Sequence, residues 1–343
     1  MRESVRYCGG LLLVAGGWLA GCAKVDPATF QYELNAETKK LPAEVQQQIR
    51  ETTDQRFGTP GTPKIDGTQV VDAGKLERGS TLYRQLCLHC HGLSGGGNGP
   101  TAAFLWPRPR DYRQGKFKFT STASGARVVR DDLIRTLREG IPGTSMPSFV
   151  LYGAEDLEAL ANYVMLLSIR GQLEGLLALR YTTDGQLDQV GIDDDVSFVF
   201  SQWSQAASQI VKPETPKPPL TPESVARGQA VWVKADCVKC HGPLGKGDGP
   251  SAAIDPLTKK PIIDDWGNVS RPADLTRGMY HGGRRPIDLY RRVYAGIKGT
   301  IMPGFGATLK PDEIWDLVNF IQNMPYGEAA PAAAPQVAGV SGG

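Results

Sequence analysis

The chain has 343 residues, enough for two domains of ordinary size and the segments that connect them. Apolar residues make up 41% of the chain and charged residues 22%, which is typical of a folded globular protein and excludes a wholly disordered or membrane-spanning one. The formal net charge is only +2, without a long run of like charge, so nothing indicates binding to nucleic acid.

The first residues of the chain look like an export signal. Arg2 and Arg6 precede an apolar run over 11–20, which is too short to cross a bilayer and is typical of a signal peptide. The run ends in Leu-Ala-Gly-Cys at Cys22, which resembles the lipobox of bacterial lipoproteins. The resemblance implies cleavage after residue 21 and acylation of the Cys22 thiol. Ordinary signal cleavage nearby, with Cys22 removed or left free, is the alternative.

A lipid on Cys22 would hold the exported protein on a bacterial membrane, facing the periplasm. Ala23 follows this cysteine, where lipoproteins retained in the inner membrane typically have Asp. The sequence therefore leaves open which of the two membranes is meant.

Two C-x-x-C-H motifs carry the chemistry of the chain. They are Cys87-Leu-His-Cys90-His91 and Cys237-Val-Lys-Cys240-His241. On a helix, positions i, i+3 and i+4 share one face, so two thioether bonds to haem vinyl groups and one bond to iron can form from a single turn. A redox-active disulfide or a metal-binding cysteine pair is the alternative, but neither requires the histidine. The motifs predict two covalently attached haem c groups, with His91 and His241 bound to the irons.

An internal repeat extends beyond these motifs. The run Gly95–Pro100 matches Gly245–Pro250 without a gap, and Gly140–Phe149 matches Gly296–Phe305. Between them, Arg-Pro-x-Asp occurs once in each copy. Because the motifs match in order as well as in kind, the chain is expected to contain two homologous domains.

These boundaries predict six segments along the chain. They are a lipoprotein signal peptide (1–21), an N-terminal extension (22–71), domain 1 (72–170), a partly helical, Pro-rich linker (171–220), domain 2 (221–326) and a disordered tail (327–343).

Apolar spacing predicts the helices of each domain. A first helix ends in the cysteine motif, near 74–90 and 222–240; a middle helix covers 131–139 and 286–295; and an amphipathic helix closes each domain. A further helix is predicted over 42–53 in the extension. Phe117 and Phe119, which alternate with lysines, predict a small strand or hairpin in domain 1 alone.

Each iron needs a sixth ligand or a vacancy. Met146 and Met302 occupy the same position of the repeat, each followed by Pro, which stiffens the loop around a weak thioether ligand. Met/His ligation is typical of electron-carrying cytochromes. The alternatives are that either Met packs in a core, as we expect of Met165 and Met324, or that His281 replaces Met302.

Four other polar or aromatic side chains stand near the motifs without an assigned role. Each either binds a haem propionate or lies in solvent: Arg108, Arg271, Trp106 and Trp266. His89, inside the first C-x-x-C, is expected to point away from the haem into solvent.

The order of motifs in each domain resembles the class I c-type cytochromes. It runs from Arg-Gly-x-x-x-aromatic to C-x-x-C-H-G, then to Gly-x-x-Met-Pro, and ends in a closing helix with Asn-aromatic. The whole chain looks like a dihaem member with a lipoprotein signal, although 23–71 and most of 171–220 are unmatched. The resemblance implies an all-α fold in which Gly79 packs against Tyr163 and Gly228 against Phe320.

The resemblance also implies covalent haem at the four motif cysteines and the axial pairs His91/Met146 and His241/Met302. The two domains depart from the family's minimal form through extra stretches around 112–128 in domain 1 and 254–268 in domain 2.

If both irons have six ligands, the expected function is one-electron transfer, as a carrier or as a subunit of a respiratory complex, with redox proteins as partners. One alternative is a dihaem cytochrome c peroxidase, which needs an open iron site and polar groups that assist O–O cleavage. Another is a docking or structural haem subunit of a larger redox complex. No catalytic residue is assigned.

Overall fold

The computed structural model describes residues 30–327. Within this range the chain forms ten α-helices, and its β-type pairing is limited to isolated bridges, which confirms the all-α prediction. No helix in the described part of the chain is long and apolar enough to cross a membrane. The predicted signal peptide, Cys22 and the tail beyond residue 327 lie outside the described residues.

The helices follow the predicted order. They are α1 (Ala43–Phe57), α2 (Leu76–Leu86), α3 (Leu88–His91), α4 (Arg130–Glu139), α5 (Ala154–Asp184), α6 (Gln189–Ser204), α7 (Pro222–Lys234), α8 (Val238–His241), α9 (Pro286–Ala295) and α10 (Pro311–Asn323).

Helix α10 shows why the closing helices form where they do. Pro311 begins the helix at a position where its missing N–H costs nothing, and the Glu313 carboxylate accepts the backbone N–H of Lys310 at 2.9 Å. Its apolar stripe is buried, with Ile314 and Val318 fully shielded from solvent. The helix therefore has both a defined start and a face that must pack against α7.

The first and closing helices of each domain cross at a glycine. A Cβ atom on Gly79 would lie 2.2 Å from the Ala159 carbonyl oxygen, and one on Gly228 would lie 2.1 Å from that of Asp316. In both domains the next contact is the Cβ atom of an aromatic residue, Tyr163 or Phe320, as the resemblance implied. Only glycine permits this approach of two helix backbones.

Residues outside the predicted bounds of domain 1 complete its core. Tyr32 and Ile49 from the extension, and Trp203 from α6, join the same buried apolar cluster as the α5 side chains. Helix α5 itself runs 31 residues, well past the end of the predicted domain. The extension and the first half of the linker thus pack as one body with domain 1.

The Pro-rich stretch of the linker lies along domain 2. The Trp315 indole donates to the Thr215 carbonyl at 2.8 Å, and the Asn319 amide donates to the carbonyls of Pro218 and Pro219 at 3.3 and 3.1 Å. The stretch is therefore fixed on the closing helix α10.

The strand predicted at Phe117 and Phe119 is wrong. The segment is irregular, because its carbonyls bind a side chain from domain 2 instead of a neighbouring strand: Arg292 donates to the Lys118 carbonyl at 2.9 Å and also to that of Thr120. Phe117 stacks on Tyr112 with ring centroids 5.9 Å apart. The alternating pattern reflects an interface between domains.

We predict that Gly228→Ala lowers the free energy of unfolding by about 1–3 kcal/mol, because the added methyl group forces α7 and α10 apart. Gly175→Ala is the matched control. Gly175 lies within α5, and a Cβ atom there would meet no atom within 4 Å, so this change should raise stability by about 0.5–1 kcal/mol. Denaturant unfolding of the haem-loaded protein measures both. Equal effects at the two positions would contradict the close crossing.

Candidate haem sites

Each haem-binding motif forms one complete helical turn. The backbone N–H of His91 donates to the Cys87 carbonyl at 2.8 Å, and that of His241 donates to the Cys237 carbonyl at 2.9 Å. None of the four motif cysteines is paired in a disulfide. Two thiols and one imidazole therefore leave the same turn in each domain, as two thioether bonds and one iron bond require.

An aromatic side chain from the preceding helix fixes the end of each turn. The Tyr83 hydroxyl donates to the Gly92 carbonyl at 2.8 Å, and the Trp232 indole donates to the Gly242 carbonyl at 3.1 Å. Both glycines have positive φ, +73° and +75°, so the chain can reverse directly after the histidine. The aromatic residue of the repeat thus acts through a hydrogen bond as well as through packing.

The imidazoles are oriented by backbone carbonyls of the Arg-Pro-x-Asp repeat. His91 Nδ1 lies 3.1 Å from the Arg110 carbonyl oxygen, and His241 Nδ1 lies 3.3 Å from that of Ala273. A carbonyl can only accept, so we assign the proton to Nδ1, which leaves the Nε2 lone pair free for iron. The arrangement fits a histidine-ligated haem in both domains.

The protonation states agree with this fit. Burial lowers the pKa of His91 and of His241, which favours the neutral imidazole that metals bind. Burial raises the pKa of the Cys87 thiol to about 12 and that of Cys237 to about 11.

The loops that contain the two candidate methionines have the same hydrogen bonds. The backbone N–H of Met146 donates to Thr144 Oγ1 at 3.1 Å, and that of Met302 donates to Thr300 Oγ1 at 3.2 Å. In each loop the methionine carbonyl accepts a further backbone bond, from Ile141 at 3.1 Å. Its counterpart in domain 2 is Ile297, at 3.2 Å.

Each methionine loop is also attached to the middle helix of its domain. The Phe149 N–H donates to the Leu137 carbonyl at 2.8 Å, and the Phe305 N–H to the Val293 carbonyl at 2.9 Å. Both methionines are half-buried. The two loops are therefore held by the same set of hydrogen bonds, which suits a weak thioether ligand.

The remaining histidines and methionines differ in their surroundings. His89 is exposed, and Met165 and Met324 are buried in the two cores. His281 lies against the methionine loop of domain 1: its Nδ1 lies 2.5 Å from the Pro142 carbonyl oxygen. A Cβ atom on Gly143 of that loop would meet the side chains of both Met279 and His281.

The candidates for propionate binding differ in their surroundings. Arg108, Arg271 and Trp106 are exposed. Trp266 is engaged elsewhere, because its indole N–H donates to the Asp111 carbonyl at 2.7 Å. Within residues 30–327, no cluster of three or more His, Cys, Asp or Glu side chains is arranged to hold a separate metal ion.

Comparison with known proteins agrees with this geometry. Residues 74–164 match the family of subunit III of the cbb3-type cytochrome c oxidase, and residues 225–325 match the cytochrome c family. The chain therefore belongs to the c-type cytochromes, with two cytochrome c domains in tandem. Two such domains imply two covalently bound haem c groups, here called haem 1 and haem 2 after their domains.

A solved structure with a similar fold is a chain of the reducing HAO-like protein complex of Kuenenia stuttgartiensis. It is 27% identical, with a TM-score of 0.56, and the alignment covers 72% of this chain and 96% of that chain. Among curated proteins, no match was found.

We predict that Tyr83→Phe destabilises domain 1 by about 1–3 kcal/mol, because it leaves the buried Gly92 carbonyl without its donor. The Tyr112 hydroxyl, which donates to Tyr83 at 2.6 Å, loses its acceptor as well. Denaturant unfolding followed by the haem absorbance measures the effect. Tyr326→Phe, at a side chain 82% exposed, is the control and should change stability by less than about 0.5 kcal/mol. An unchanged Y83F protein would contradict the role of this hydroxyl.

Proposed function

We propose that this protein is a dihaem electron-transfer cytochrome that works on the periplasmic side of a bacterial membrane. Cys87 and Cys90 attach haem 1, and Cys237 and Cys240 attach haem 2. The axial pairs are His91/Met146 and His241/Met302. A lipid on Cys22, which lies outside the described residues, anchors the chain to the membrane.

The observation that carries this proposal is the repetition of one ligand arrangement. Each domain presents an imidazole held by a backbone carbonyl and a methionine held in a loop with the same hydrogen bonds. A site with six rigid ligands favours electron transfer, because little has to move when the iron changes its charge.

When bound, each haem supplies a one-electron iron couple, and the residues of the chain tune it. The Nδ1–H bonds to Arg110 and Ala273 keep the imidazoles in the tautomer that binds iron and raise their basicity. The thioethers of Met146 and Met302 favour the ferrous state and so raise the reduction potential. No substrate is bound, and no bond of a substrate is broken.

The peroxidase alternative requires one iron with an open or displaceable site. Both domains instead supply a methionine in an identical loop, so we propose that the protein is not an enzyme. A place in a larger redox assembly has support from the similar chain, which belongs to a multi-protein complex. We therefore propose that the partners are redox proteins, which bind either transiently or in a stable complex.

The test is carbon monoxide binding by the reduced protein. We expect the wild type to bind little, because both irons have six ligands, whereas Met146→Ala and Met302→Ala should each open one haem. Met165→Leu and Met324→Leu remove buried methionines outside the ligand loops and are the matched controls. Rapid binding at either haem of the wild type would contradict the ligand assignment and would favour the peroxidase alternative.

A further inference from the structure

The two stretches by which the domains depart from a minimal cytochrome meet at the interface between the domains. Lys118 of domain 1 forms an ion pair with the buried Asp264 at 2.9 Å, and Lys116 forms one with Asp265 at 2.6 Å. Behind them, Lys298 of domain 2 donates to Thr122 Oγ1 at 2.7 Å. The additional stretches thus hold one haem domain against the other.

Trp266 lies in this interface and binds the segment of domain 1 that orients the haem 1 histidine. The guanidinium of Arg110 lies over the Trp266 ring, 3.6 Å from its centroid, and the Trp266 indole donates to the Asp111 carbonyl at 2.7 Å. Asp264 adds an ion pair to Arg110 at 3.6 Å. The carbonyl of Arg110 is the acceptor for His91 Nδ1.

The same tryptophan packs on the methionine loop of domain 2. A Cβ atom on Gly299 would lie 2.4 Å from carbon atoms of the Trp266 ring, so glycine is needed for the ring to fit there. The backbone N–H of Asp265 donates to the Gly299 carbonyl at 2.9 Å. Gly299 precedes Met302 by three residues in this loop.

We propose that Trp266 is a positioning residue that couples the two haem sites, by fixing the backbone that holds His91 while packing on the loop that carries Met302. This inference rests on the axial ligands given under the proposed function. It makes the reduction potential of haem 1 depend on a side chain of the other domain.

The contacts of the two histidine acceptors differ between the domains. The position of the repeat that corresponds to Arg110 is Ala273, which has no guanidinium to stack on an aromatic ring. The acceptor for His241 therefore lacks the contact that holds the acceptor for His91.

A hydrogen bond from the far nitrogen of an axial histidine raises the basicity of that ligand and stabilises ferric iron. Trp266→Phe keeps an aromatic ring against Gly299 but removes the indole N–H, so the backbone at Asp111 loses its donor and the bond from His91 to Arg110 weakens. We expect the potential of haem 1 to rise. The equilibrium constant for transfer of one electron from haem 2 to haem 1 should rise about tenfold. For one electron, this corresponds to a change of about 59 mV in the difference between the two potentials.

The experiment is a spectroelectrochemical titration of the full-length, haem-loaded wild type and Trp266→Phe. Trp315→Phe is the matched control. Trp315 also belongs to domain 2 and also donates its indole N–H to a backbone carbonyl, at 2.8 Å, but that carbonyl belongs to Thr215 of the linker and not to the segment around Arg110. Met146→His, which moves the haem 1 step, assigns the two steps. Arg110→Lys, which keeps the charge and the carbonyl but removes the planar group, is a second variant in case Trp266→Phe does not fold.

A higher reduction potential of haem 1 alone in Trp266→Phe or Arg110→Lys, with both potentials unchanged in Trp315→Phe, supports the coupling. Unchanged potentials, or an equal shift of both haems, overturn it. Either of these results leaves the proposed function intact as long as the wild type keeps the near-infrared charge-transfer band of methionine-ligated ferric haem at both sites. Absence of that band in the wild type would refute the proposed function itself.

Discussion

The constraint on which the structure depends is that two thiols and one imidazole must leave a single turn of helix. Once Cys87, Cys90 and His91 share a turn, the cofactor is bound on one side, and every other element serves to fix that turn or to reach the opposite face of the haem. The Tyr83 hydroxyl fixes the end of the turn, and the Arg110 carbonyl fixes the imidazole. Trp232 and Ala273 do the same in domain 2.

The helices around the motif serve the second part of the proposed ligation, a methionine held by a short loop. The loop depends on the middle helix, to which it is bonded through Phe149 or Phe305. The middle helix packs against the closing helix in each domain. The crossing at Gly79 or Gly228 then brings the closing helix back to the helix that precedes the haem turn. Covalent attachment, helix packing and the proposed iron ligation are in this way connected through the same helices.

Duplication provides two such arrangements, and the additional stretches decide how they are joined. The contacts of Lys116 and Lys118 with Asp265 and Asp264 place charged pairs between the domains, and Trp266 adds an aromatic contact. Asp264 is buried, whereas Lys116 and Asp265 are both exposed, so desolvation in the first pair and solvent screening in the second offset much of the attraction between the charges. A fixed orientation would serve the electron transfer that we propose for the two haems.

Much of this was predictable from sequence, because the motifs repeat. The haem turns and the helices of both domains follow from residue types at fixed spacings, and the glycine crossings were implied by the resemblance to the class I c-type cytochromes. The carbonyl acceptors of Arg110 and Ala273 were missed, since a backbone carbonyl leaves no mark of its own on the sequence. Their only signal was the repeated Arg-Pro-x-Asp. The alternation at Phe117 and Phe119 misled, because the bonding partner of that segment, Arg292, is more than 170 residues away along the chain.

The burial of Tyr32 and Ile49 from the N-terminal extension in the core of domain 1 was also beyond sequence pattern. No repeat or motif relates the extension to the domain, and only the packed structure shows that α5 and α6 need these side chains to cover their apolar faces. The matched and unmatched parts of the chain are thus one hydrophobic unit.

The central claim is that each iron has one histidine and one methionine ligand. Near-infrared magnetic circular dichroism of the ferric, full-length protein tests it most directly, because the position of the charge-transfer band depends on the axial ligands. The account predicts the band of His/Met ligation with an intensity corresponding to two haems per chain. A band of bis-histidine ligation, or a high-spin signal from either haem, would contradict it.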